Sequence, residues 1–391
     1  MRKLIATYLT FFALLFAGWQ CHAQVPMSHA GLGAPAVVGG YTGPGDVVSG
    51  AAAWYGVRAY SAATRGNPAL NLCNVNDATC SDVSTDASTG NLSFGGTIGG
   101  QSCNFSVSSG TYTTATGAVS LTVSSSITGS TAGLGFAITG LTGTGSVSSL
   151  DGVFATVAGT TGTTVNYTAA TGLGTVTITG GTVWVCSAKK IYDQTQGNNC
   201  TTSSCDLLGA SPNRFVLVTS CLNSLPCLFG QGGNNGTVIS SSSTALNSIA
   251  AQPYAVSAVA ARLGPTGNNN VIYITATASN GETFFGTASG AMGGFAGTAQ
   301  TITGATEGSF HGIQNSFNGA SGNVYVDGTA STKNMGAGVP GGVSRIGGTG
   351  TGNMNGEFVE TGIWPVTFVG SNAQGMCNNQ SSYWALGLTC N

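Results

Sequence analysis

Charge is scarce in this chain. Its 391 residues include 10 Lys and Arg and 12 Asp and Glu, 6% of the total, with a formal net charge of −2. No basic run or patch is present. Gripping a phosphate backbone takes several clustered cations, so nucleic acid is excluded as a partner. Histidine is scarcer still: His22, His29 and His311 are the full set. A Ser/His/Asp triad would have to use His311, whose surroundings "SFHGIQNSF" read as a strand, with the imidazole at a sheet edge. No Gly-rich loop ends in Lys-Ser/Thr, so a phosphate cradle is missing. The cysteine spacings are wider than C-x-x-C, which argues against zinc. Beyond the N-terminus nothing is apolar enough for a membrane span. No long stretch shows a convincing helical period.

What the chain does have is small and polar. Glycine numbers 63, yet 41% of residues are hydrophobic. Apolar residues alternate with Ser and Thr, as in "AVSLTVS", "TVTITGGTVWV" and "YAVSAVAAR". That is the pattern of short strands joined by tight turns, so the expected class is all-β. "GNVYVDGTA" (322–330) adds an Asp-Gly dipeptide, a strong hairpin signal.

The N-terminus reads as an address. Arg2 and Lys3 precede an apolar run from Leu4 to about Ala17, and small residues at Cys21 and Ala23 suit cleavage after Ala23. The expectation is a signal peptide over 1–23, and a secreted or cell-surface protein, extracellular or periplasmic, with no membrane attachment once the signal is cleaved. Bulky Trp19 and Gln20 before Cys21 argue against a lipid anchor. Cleavage removes one of 11 cysteines. The even remainder, in an oxidising compartment, points to disulfides. Short loops close most easily, which pairs Cys73 with Cys80, Cys200 with Cys205, Cys221 with Cys227, and Cys377 with Cys390. Cys103 and Cys186 remain as the long-range pair.

Between Asp86 and Lys189 the only charged residue is Asp151. Residues 93–183 therefore stand apart as an inserted β module, similar in pattern to small modules of phage tail and bacterial surface proteins. A Cys103–Cys186 bond would staple its base. The flanks, 24–92 and 184–391, read as one interrupted domain. Charge returns abruptly in "SAKKIYDQTQGNNC", where Lys189, Lys190 and Asp193 fall within five positions. Asp193 is expected to be structural, since a buried charge persists only when paired. Its expected donors are backbone N–H groups, Arg58 or Arg65.

The flanking segments resemble the catalytic domain of the arabinofuranosidase B family, the family 54 glycoside hydrolases. "AYSAATRGNPALNL" (59–72) resembles that domain's opening. Ile191, Tyr192, Asp193, Gln194, Thr195, Gly197 and Asn198 resemble its Tyr-Asp-Gln-Ser-Gly-Asn strand end. "SRIGGTGTGNMNGEFVETGIWP" (344–365) resembles the last strands of a laminin-G or concanavalin-like jelly roll. The resemblance implies a two-sheet jelly-roll sandwich with a carbohydrate-binding face. It allows a calcium ion by fold analogy, although no acidic cluster supplies ligands, and no other cofactor is expected.

The same resemblance exposes a deficit. Retaining glycosidases need two carboxylates about 5 Å apart. The family's acid/base follows Ile-Gly-Gly. Here Ile346, Gly347 and Gly348 are followed by Thr349. The region of its nucleophile corresponds to 284–304, which holds no carboxylate. Glu282 and Glu357 are the replacements to consider as a relocated pair. Glu357 and Glu360, three apart, would face opposite sides of a regular strand, with Glu360 in a structural place. For sugar binding, Phe284 and Phe295 can offer rings, and Gly348 and Thr349 backbone and hydroxyl contacts.

Three functions follow. The first is a glycan-binding protein that has lost the family's catalytic carboxylates, its partner a polysaccharide or cell-surface glycan. The second is an active α-L-arabinofuranosidase-type hydrolase. The third is a structural surface or virion protein.

Overall fold

The structure is a computed structural model. It describes residues 40–129, 133–195, 206–209, 214–230, 239–240, 249, 251–262, 270–275, 280–286, 290–306, 308–340, 344–347, 354 and 356–391. The expected signal peptide, the Cys200–Cys205 pair, Gly348 and Thr349 lie outside these residues.

The chain is mostly β, as its alternating pattern requires. Most strands belong to one hydrogen-bonded system folded into two layers. The first layer runs β3 (Cys80–Ser84), β2 (Pro68–Cys73), β12 (Ser187–Ile191), β13 (Leu207–Gly209), β16 (Ile239–Ser240), β25 (Ser344–Ile346), β18 (Asn270–Thr275), β19 (Asn280–Phe285), β20 (Met292–Ala296) and β21 (Ala299–Ile302). The second runs β24 (Thr329–Thr332), β23 (Asn323–Val326), β22 (Phe310–Phe317), β17 (Tyr254–Arg262) and β26 (Gly356–Trp364). The other edge of β26 is shared by β1 (Ala53–Gly56) and β15 (Leu225–Gly230). β15 pairs with β14 (Val216–Leu222), which meets β12 through Ser187 and Val216.

The layers are tied across the core. Asn315 of β22 donates to Thr283 Oγ1 and to the Gly293 carbonyl, each at 2.9 Å. Arg262 of β17 donates to the Gly286 carbonyl at 2.6 Å. β17 is buried along all nine residues, which suits a central strand covered on both faces. The Asp-Gly hairpin forms between β23 and β24. Asp327 and Gly328 take φ of 53° and 80°, the left-handed pair that a two-residue turn of this kind demands.

Residues 104–184 build a separate sheet. Its order is β10 (Thr164–Thr168), β7 (Ala118–Val123), β6 (Asn104–Thr113), β11 (Thr177–Trp184), β8 (Gly135–Thr144) and β9 (Gly152–Ala155). Among the described residues these strands pair only with one another. The Cys103–Cys186 bond closes the sheet's base. The expected pairs Cys73–Cys80, Cys221–Cys227 and Cys377–Cys390 are also formed.

Two sequence expectations are corrected. A 14-residue helix, Ser371–Trp384, closes the chain. Its buried side chains, Ala373, Met376, Cys377, Gln380 and Trp384, do follow a helical period, but with Gln and Cys among them the stripe is too polar to read as one. His311 is not at a sheet edge. β22 is paired on both sides, and His311 is 5% exposed. Its Nδ1 meets Asp327 and its Nε2 the Thr306 carbonyl, so both ring nitrogens are engaged.

Candidate functional site

The charged stretch after the insert is a seam. Asp193 Oδ1 accepts from the Trp54 N–H at 3.0 Å, the Thr195 N–H at 3.1 Å and the Thr195 hydroxyl at 3.0 Å. Gln194 donates to the Gly56 carbonyl at 2.9 Å and accepts from the Tyr60 N–H at 3.2 Å. "YDQT" thus bonds the chain beyond β12 to β1, 139 residues earlier. Burial pushes the Asp193 carboxyl up to about 6, against the hydrogen bonds that favour its charge. Lys190 pairs with Asp206 at 3.2 Å and lies over the Tyr192 ring.

Of the donors expected for Asp193, only backbone is used. Arg65 instead donates to the carbonyls of Ala62 and Ser88. Arg58 is fully buried and pairs with Glu360, also fully buried. Its Nε and Nη2 meet the two carboxylate oxygens, and Nη2 also donates to Asn379 at 2.8 Å. Trp384 Nε1 and Gln380 Nε2 donate to Glu360 at 2.9 and 3.0 Å. The C-terminal helix supplies all these partners, and Tyr383 and Trp384 place their rings near the guanidinium.

Glu357 does not face away from Glu360. A bulge in β26 sets Glu360 opposite Val259 and Glu357 opposite Ala261, two residues on along β17, so both carboxyls leave the same face. That is the outward face of the second layer. The intervening Phe358 turns inward against Phe215. Glu357 Oε2 lies 3.7 Å from Cys221 Sγ, a disulfide sulfur with no hydrogen to donate. Cys221, Cys227 and Glu357 form a cluster of metal-ligand type, but the disulfide occupies both sulfurs.

Glu282 is on the other layer. Its neighbour Thr283 points inward to Asn315, so alternation turns Glu282 outward. The sandwich therefore stands between Glu282 and Glu357, and the two do not form a carboxylate pair. Phe295 is directly opposite Glu282 across β19 and β20, and residues directly opposite share a face. Ala299 of β21, exposed and small, faces Phe295 from the other side. The row Glu282–Phe295–Ala299 is thus a carboxyl, a ring and an open shelf. Phe284, two residues from Glu282, shares the face and is buried. Glu282 and Phe295 are half-buried. Among the described residues Glu282 has no hydrogen-bond or ion-pair partner, and loss of hydration alone pushes its carboxyl up to about 7. β25 ends at Ile346, in register with Tyr273 of β18 and, through it, with Thr283.

The sequence named Glu282, Phe284 and Phe295 singly. It did not show that they share a face, because that depends on the register of β19 against β20.

No known protein family matches the chain, and no curated protein matches it. Solved structures do. A family 54 α-L-arabinofuranosidase soaked with a cyclic sulfate inhibitor aligns at 11% identity and a TM-score of 0.46, over 88% of this chain and 66% of that one. An arabinofuranosidase complexed with arabinofuranosyl-α-1,2-xylobiose aligns at 11% identity and 0.48, over 88% and 65%. A Trypanosoma rangeli sialidase in complex with sialic acid gives 13% and 0.33, over 50% and 31%. This chain spans just under two thirds of the two arabinofuranosidase chains. At these identities and TM-scores the likenesses establish no family.

Proposed function

We propose that this is a secreted carbohydrate-recognising protein that binds glycan on the outward face of β19 and β20 and lacks the paired carboxylates of a retaining glycosidase. One observation carries the reading: a half-buried carboxyl with no partner among the described residues stands directly beside a half-buried aromatic ring. A carboxyl that has lost water and gained no protein partner is a cost that a ligand hydroxyl can relieve. The Phe295 ring supplies the apolar surface on which a sugar's C–H face rests, and exposed Ala299 leaves room beside it.

The sequence resemblance to arabinofuranosidase B supports the same class of ligand, and the two-layered sandwich is read as that family's jelly roll. The resemblance also sets the limit. Thr349 stands where the acid/base is needed, and 284–304 offers no nucleophile. Retaining hydrolysis needs a second carboxyl within about 5 Å of Glu282, and Glu357 is on the other side of the sandwich. Binding needs only shape and hydrogen bonds.

A glycan array paired with an arabinofuranoside hydrolysis assay tests this on the purified protein. The expected result is binding on the order of micromolar to millimolar, without turnover. Robust hydrolysis lost in Glu282→Gln would replace the reading with that of an active glycosidase. No binding to any glycan would leave the structural-surface role in its place.

A further inference from the structure

A second concave feature lies at the foot of the six-stranded sheet. It is a cavity of about 210 Å³. Its apolar lining is Val75, Phe105, Ile127 and Val185, the last three at most 6% exposed. Its polar lining is Gln101, Ser102, Ser125, Ser126 and Thr128, completed by Gly100. Gly100 has φ of 78° and open space where a side chain would stand. The cavity is therefore shared by the loop after β7, by the hairpin of β4 (Thr97–Ile98) and β5 (Gln101–Ser102), and by the loop after β2.

The apolar wall is held in place. Cys103 and Cys186 are bonded, and Val185 N–H donates to the Cys103 carbonyl at 3.0 Å. Phe105 and Val185 are each within two residues of that disulfide. Gln101 Oε1 accepts from Asn74 Nδ2 at 2.8 Å, which fixes the amide and leaves its NH2 group to donate elsewhere. Ser125, Ser126 and Thr128 are exposed, and their hydroxyls have no partner among the described residues.

No lining residue carries a charge, so nothing here recognises a phosphate, a carboxylate or an amine. An apolar wall set against neutral hydroxyls and an amide suits a ligand with one apolar face and a rim of hydroxyls. The volume is that of about seven waters, or one sugar ring. We propose that this cavity binds a single uncharged monosaccharide unit, at a site separate from the Glu282–Phe295 face and independent of it.

Methyl NMR on the full protein, read at Ile127 and Val185 in the cavity wall, tests this with free glucose, galactose, arabinose and N-acetylglucosamine as probes. The expected result is a saturable shift of those methyl signals with at least one sugar, with a dissociation constant on the order of millimolar. Ser126→Trp, which fills the cavity mouth, should abolish it, and Gln101→Ala should weaken it at least threefold. Thermal unfolding of each variant establishes that it is folded, and Gln101→Ala decides if Ser126→Trp is not. No shift of these methyls in the unaltered protein, or a shift that survives the cavity substitutions, would overturn the proposal.

Discussion

Glu360 and Glu282 stand on outward faces of the two layers and meet opposite fates. Glu360 is covered by the C-terminal helix and satisfied by Arg58, Gln380 and Trp384. Glu282 is half-buried beside Phe295 with no partner at all among the described residues. The residue type and the strand environment are the same. What differs is whether another element of the chain was built to receive the carboxylate. A satisfied buried charge is an anchor, and an unsatisfied one is the feature on which the proposed binding face rests.

The largest expected effect breaks the anchor. Glu360→Ala leaves the Arg58 guanidinium buried without its counter-charge, a loss of about 3–5 kcal/mol. Urea unfolding should show a much lower midpoint, whereas Glu282→Ala should leave it nearly unchanged or raise it. Equal losses at the two sites would erase the distinction.

Replacing residues 104–185 by a short Gly-Ser linker comes next. The Cα atoms of Cys103 and Cys186 are 5.0 Å apart, so a short bridge suffices. We expect a destabilised sandwich that still unfolds cooperatively, because the sheet of 104–184 pairs only with itself. Loss of all cooperativity would show that the anchor region depends on the insert.

Phe295→Ala sharpens the other side of the comparison. Removing the ring should weaken glycan binding about tenfold, ~1.4 kcal/mol, with little change in stability. Unaltered affinity on titration would detach Phe295 from the site.

The smallest effect is in pH. The Glu282 carboxyl is raised to about 7 and Asp193 to about 6. Between pH 4.5 and 7 the unfolded chain has released protons that the native state still holds, so stability falls as pH rises through this window. The slope from Glu282 is about 1 kcal/mol per pH unit within that range. Glu282→Gln should reduce it, leaving the parts that Asp193 and Glu357 contribute, measured as urea midpoint against pH. An unchanged slope would mean that Glu282 is better solvated than its position implies.

Much of the local architecture was legible in the sequence. The Asp327-Gly328 hairpin, the strand from Tyr254 to Arg262 and the three near-neighbour disulfides among the described residues depend on residues close in the chain. The charge-free block pointed to the separate sheet for a related reason: a β module that covers itself with hydroxyls needs no ion pairs. The C-terminal helix was missed although Ala373, Met376, Cys377, Gln380 and Trp384 carry its period. Gln380 is buried because Glu360 and Ser257 receive its amide, which no local pattern announces. The partner of Arg58 was hidden for the same reason, lying 302 residues away.

By itself the sequence determined the β class, the turns, three local cysteine pairs and the identity of the few charged residues. Each of these is set by propensity or by short loop closure. Only the tertiary structure decided what the carboxyls do. Strand register brought Glu282 beside Phe295, a single bulge in β26 turned Glu357 to the face of Glu360, and the sandwich itself came between Glu282 and Glu357. Register and bulges follow from how whole strands bury their faces against each other, and one residue of slip reverses every side chain.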